Sequence, residues 1–96
     1  MKFYLHPQAE VELNEAISYY DNCKFRLGLE FAEEIYSTIA RICEYPDAGR
    51  RLSKNTRRCL INRFPYGVIF QAKPKAIHIL AVANLHKRPN YWKKRI

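Results

Sequence analysis

The apolar residues of this chain change their period once, and the change falls at Pro46–Gly49. Before it, Ala9, Leu13, Ala16, Ile17 and Tyr20 recur at the spacing of one helical face, and Leu29, Ala32, Ile35, Tyr36, Ile39, Ile42 and Cys43 do so again. After it come short runs of strand character: RRCLI (57–61), GVIFQA (67–72) and AIHILAVAN (76–84). A helical first half and an extended second half bury both patterns when a helix pair is laid on a sheet.

Punctuation sets the boundaries. KFYL (2–5) reads as a short opening strand, and Pro7 suits the first turn of a helix, where its missing N–H is not needed. Asp21-Asn22 ends that helix. The second stops before Pro46, whose ring disfavours helical backbone at Tyr45, and Gly49 follows in the turn. A short connection makes the two an antiparallel hairpin. RLSKNT (51–56) is a polar loop, NRFPYG (62–67) a turn, KPK (73–75) a tight turn and NYWKKR (90–95) one more helical turn. In the last strand Ile77, Ile79 and Ala81 are expected on one face, and His78, Leu80 and Val82 on the other. Both faces are largely apolar, so this strand belongs in the centre of the sheet with cover on both sides. The expectation is an α+β fold: an N-terminal strand, an antiparallel two-helix hairpin packed on a small mainly antiparallel sheet, and a short C-terminal helical tail. With 96 residues the chain forms a single domain over 1–96.

Charge divides at the same place. Residues 1–48 hold all nine acids beside four of the 17 cations; residues 49–96 hold the other 13 cations and no acid, so the halves carry −5 and +13. Cations without an internal partner repel one another, so this half is expected to answer to an external polyanion, a nucleic acid or an acidic protein. Membrane is excluded as that partner, because no segment joins the charge to a long apolar stripe. The apolar runs fall well short of the roughly 18 residues a membrane helix needs. MKFYLHPQAE turns polar by His6 and lacks the features of a signal peptide. Cys23, Cys43 and Cys59 are odd in number and widely spaced, which argues against a disulfide framework or a zinc site and for semi-buried thiols in a reducing cytoplasm.

Several stretches together resemble the RelE/ParE family of bacterial toxins, the growth-inhibiting halves of type II toxin–antitoxin pairs. They are HPQAEVELNEAISYY, LGLEFAEEIYSTIARICEYPDAG, RRCLINRFPYGVIF and AVANLHKRPNYWKKR, which run in order along nearly the whole chain. The resemblance implies a small acidic antitoxin as partner in a hetero-oligomer, no cofactor, no metal, and one of two modes of action. ParE-like members inhibit DNA gyrase by binding alone. RelE-like members are ribosome-dependent endoribonucleases that cleave mRNA. FPYGVIF is closer to the ParE side, since ribonuclease-type members tend to carry an Arg where this chain has Tyr66-Gly67-Val68-Ile69.

Cleavage through a 2′-hydroxyl needs a base, an acid and cations on the phosphate. The residue types that fit are His86, Arg63 and Tyr91. For contact with a target or nucleic acid the candidates are Arg57, Arg58, Arg63, Lys87, Arg88, Trp92 and Arg95. His78, inside a strand, and His6, beside Pro7, read as structural. In the tail, Trp92 is expected to anchor the turn on the sheet, leaving Tyr91 and Arg95, one turn apart, to face the partner.

Overall fold

The structure, a computed structural model, describes residues 1–96. Its elements run β1 (Lys2–Leu5), α1 (Pro7–Cys23), α2 (Leu27–Glu44), β2 (Arg50–Arg51), β3 (Arg57–Leu60), β4 (Tyr66–Ala72), β5 (Ala76–Asn84) and a C-terminal 3₁₀ turn (Tyr91–Arg95). The strands form one sheet in the order β1-β5-β4-β3-β2, with β1 parallel to β5 and every other pair antiparallel. No helix is long and apolar enough to cross a membrane.

His6 sits at the N-cap of α1 and its Nδ1 accepts from the Gln8 N–H at 3.0 Å, with Pro7 in the first turn. The helix does not stop at Asp21-Asn22 but continues to Cys23. The Asp21 side chain acts elsewhere: its Oδ1 accepts from the Gly28 N–H at 2.8 Å and so satisfies a free donor at the start of α2. Gly28 is what lets the helices close this tightly, because a Cβ there would collide with the Ile17 carbonyl and lie 2.6 Å from the Asp21 carboxylate.

On α2 the buried stripe is Phe31, Ile35, Thr38, Ile39 and Ile42. It is rotated from the expected face: Leu29 and Tyr36 are exposed, and Phe31 takes the central place. Rings of Tyr20, Phe64 and Tyr66 stand 4.8–5.2 Å from Phe31, so aromatic packing set the rotation. The core between hairpin and sheet is completed by Val68, Phe70, Ile77, Ile79 and Val82.

Two features of the sheet depart from the sequence reading. Arg50–Arg51 form a short edge strand where a loop was expected from residue 51, opposing Arg58 and Arg57 respectively. In β5 the register skips: Ile79 faces Phe70 but Ala81 faces Ile69, which leaves Leu80 as an unpaired bulge residue. A bulge reverses the alternation beyond it. Val82 therefore joins Ile77 and Ile79 in the helix-side core, while Leu80, Ala81 and Ala83 turn to the other face. The expected pairing of Ala81 with Ile77 and of Val82 with His78 fails for that reason.

Candidate functional site

The face of the sheet away from the helices is closed in part by the C-terminal turn. Trp92 is 3% exposed and packs on Ile69, Leu80, Ala81 and Ala83. The small residues the bulge turns outward make the shelf on which the indole lies. Trp92 is thus an anchor, and it also lines the groove between the end of the sheet and the tail.

The turn is held from the other side by one acid. β1 ends at Leu5, and beyond the His6 N–H to Ile79 O bond the outer edge of β5 has no neighbouring strand. Side chains take the missing strand's place. Glu12 Oε1 accepts from the Val82 N–H at 3.0 Å, and Arg95 Nη1 donates to the Leu80 carbonyl at 3.1 Å. Arg95 also grips Glu12 with both amino groups, at 2.9 and 3.2 Å, and the Tyr91 hydroxyl donates to Glu12 Oε2 at 2.7 Å. The Glu12 and Arg95 side chains are 11% and 14% exposed. Tyr91 and Arg95 therefore turn inward, not toward a partner. Burial first, and then the bond to the Glu12 carboxylate, push the Tyr91 hydroxyl above the ordinary tyrosine value.

The remaining candidates are dispersed. Arg63 adopts a left-handed conformation (φ 70°) in the turn before β4, and its Nη2 donates to Glu30 on α2 at 2.6 Å. That bond holds the Glu30 carboxyl below its ordinary value. Two of the thirteen cations of the basic half, Arg63 and Arg95, are thus paired internally, against the expectation that none would be. The His86 imidazole is exposed and lines a groove of about 500 Å³ with Glu15, Tyr19, Tyr66 and Asn84; Arg63 lies outside it. Arg57 Nη1 donates to the Gly49 carbonyl at 3.2 Å on the helix side of the sheet.

Arg58, Lys87 and Arg88 do converge. Together with Leu60 and Pro89 they line a shallow groove of about 210 Å³ between the end of the sheet and the tail. The Arg58 stem lies across Gly67, where a Cβ would meet its Cγ and Cδ at 3.1 and 3.2 Å. Its Nε is buried without a hydrogen-bond partner. Cross-strand register adds Arg50 opposite Arg58 and Arg51 opposite Arg57, like charges face to face. Such like-charged pairs cost stability when no counter-ion lies between them. No group of three or more His, Cys, Asp or Glu is placed to hold a metal ion. Of the thiols, Cys23 is exposed and Cys59 buried, and burial raises the Cys59 thiol above its ordinary value.

Two participants went unread. Glu12 lies three residues past Ala9 and one before Leu13, on the rim of the buried stripe, and an acid there was the available clue. Arg50 belongs to a strand of two residues, too short to show a period.

A helix hairpin lies over a mixed five-stranded sheet, whose other face is edged by Arg58, Lys87 and Arg88 and covered in part by a basic turn. Residues 3–89 match the family described as the ParE toxin of the type II toxin–antitoxin system parDE, and the chain belongs to that family. Among solved structures it is similar to a chain described as the chromosomal ParDE TA system from P. aeruginosa. The TM-score is 0.79 over 90% of this chain and 97% of that one, at 20% identity, a likeness of fold. No curated protein matches the sequence.

Proposed function

We propose that this protein inhibits bacterial growth by binding DNA gyrase, without chemistry of its own, and that a small acidic antitoxin neutralises it. The observation that carries the reading is the dispersal of the three catalytic candidates. The Tyr91 hydroxyl is engaged by Glu12, Arg63 is held by Glu30, and His86 lines a groove that Arg63 does not reach. Ribonuclease chemistry needs an acid, a base and a phosphate clamp within reach of one reacting centre. Binding needs only the convergent cations Arg58, Lys87 and Arg88, with Arg50 beside them. The same cations suit the acidic antitoxin, whose hold on them weakens as salt screens the opposed charges.

The test is a pair of reactions with the purified toxin. Gyrase with relaxed plasmid and ATP is expected to lose supercoiling activity, and mRNA programmed on ribosomes to stay intact. Cleaved mRNA with unaffected gyrase overturns the proposal in favour of a ribosome-dependent endoribonuclease.

A further inference from the structure

A second basic surface lies at the opposite end of the strands, on the face away from the helices. Ile77 and Ile79 point into the helix-side core, so His78 between them points outward, and Tyr4, its register partner on β1, does the same. Their rings meet edge to face at 5.8 Å, and Tyr4 is 56% exposed. Lys2, two residues before Tyr4, shares that face. Lys73 and Lys75 flank Pro74 in the turn that the Lys73 N–H to Ala76 O bond closes at 2.8 Å. These residues and Met1 line a groove of about 760 Å³. No acid lines it, and neither ion pair of the molecule engages its lysines.

We propose that this groove is a binding site for single-stranded nucleic acid, with backbone phosphates on Lys2, Lys73 and Lys75 and a base stacked on the Tyr4–His78 pair. Lysines suit this role as mobile point charges that follow a phosphate chain without fixed geometry. The exposed aromatic pair selects among polyanions, because a base offers a flat ring to stack and an acidic peptide need not. The site is distinct from the Arg58–Lys87–Arg88 groove and does not depend on the gyrase reading, since it is tested with an oligonucleotide alone.

The experiment is fluorescence anisotropy of a labelled (dT)12 strand titrated with the whole chain over a salt series. Lys2→Ala/Lys73→Ala/Lys75→Ala is expected to flatten the slope of log K against log salt by roughly 2, about 0.7 for each phosphate no longer neutralised. Tyr4→Leu is expected to weaken binding about 10-fold by removing one stacking platform. In the unaltered protein, the Tyr4 and His78 ring resonances should move on titration, a readout no folding defect can mimic. Absence of binding at low salt, unmoved rings, or a triple variant that keeps the wild-type slope overturns the proposal. So does a poly-glutamate 12-mer that competes as well as (dT)12 and is indifferent to Tyr4→Leu, which would make the occupant an acidic protein.

Discussion

The Arg95 guanidinium meets the Glu12 carboxylate two-on-two, Nη1 to Oε1 at 2.9 Å and Nη2 to Oε2 at 3.2 Å. Both side chains are largely shielded from water, so removing one strands the other. Glu12→Ala deprives the Tyr91 hydroxyl and the Val82 N–H of their acceptor and leaves Arg95 only the Leu80 carbonyl. The expected loss is about 3 kcal/mol, the lower end for breaking a buried pair, or roughly 12–24 °C in melting temperature for a domain of this size. Thermal melts check it. A double-mutant cycle with Arg95→Ala should give a coupling above about 1 kcal/mol.

Tyr91→Phe tests chemistry against packing. The ring stays against the tail and Arg95 still holds Glu12, so the change removes one hydrogen bond, worth about 1 kcal/mol. Growth inhibition by the induced variant is expected to match the wild type. A folded but harmless variant would contradict the binding mechanism.

Alkali should unfold this protein early. Tyr91, Tyr66 and Tyr20 all have folded pKa values raised, by burial first. A raised folded pKa means that the unfolded chain releases protons which the native state keeps. Their stabilisation is therefore complete below the ordinary tyrosine value of 10.0 and is lost as pH climbs through the folded values. Urea midpoints are expected to fall as pH rises past about 10. The fall should be shallower in Tyr91→Phe, which removes the tyrosine with the largest shift.

The helix hairpin offers two opposed substitutions. Asp21→Ala removes the acceptor for the Gly28 N–H and is expected to cost about 1 kcal/mol, as lost helix caps do. Gly28→Ala drives a methyl into the Ile17 carbonyl and the Asp21 carboxylate that caps the helix, and should cost about 1–3 kcal/mol by overpacking. Chemical denaturation of the two variants ranks them.

Arg50→Glu separates stability from binding. It converts the like-charged Arg50–Arg58 pair into an opposed one, for a gain of up to about 1 kcal/mol. The same change should weaken binding to the acidic antitoxin proposed above, read by calorimetry at low salt.

What could be read from the sequence was local. Pro7, the stop before Pro46 and the period change at Gly49 fixed both helices and three strands within a few residues. The exceptions are contacts between distant positions. Nothing near Leu80 announces a bulge, which follows from how β4 and β5 pair, and Phe31 displaced Leu29 and Tyr36 through rings brought in from residues 64 and 66. The charge asymmetry was legible, but its partial cancellation by Glu12 and Glu30 needed the fold. Convergence of Arg58 with Lys87 and Arg88 likewise depends on β3 and the tail meeting at one end of the sheet.

The clamp on the tail also sets a timetable. Arg95 is synthesised 83 positions after Glu12 and 15 after Leu80, the two residues it holds. Helix α1 and the strand it supports are therefore made before the side chain that closes their shared edge, and that edge stays bare while the tail is still in the ribosome. The tail can dock only after it has left the ribosome. An antitoxin already present can meet the newborn chain with its C-terminal turn still undocked.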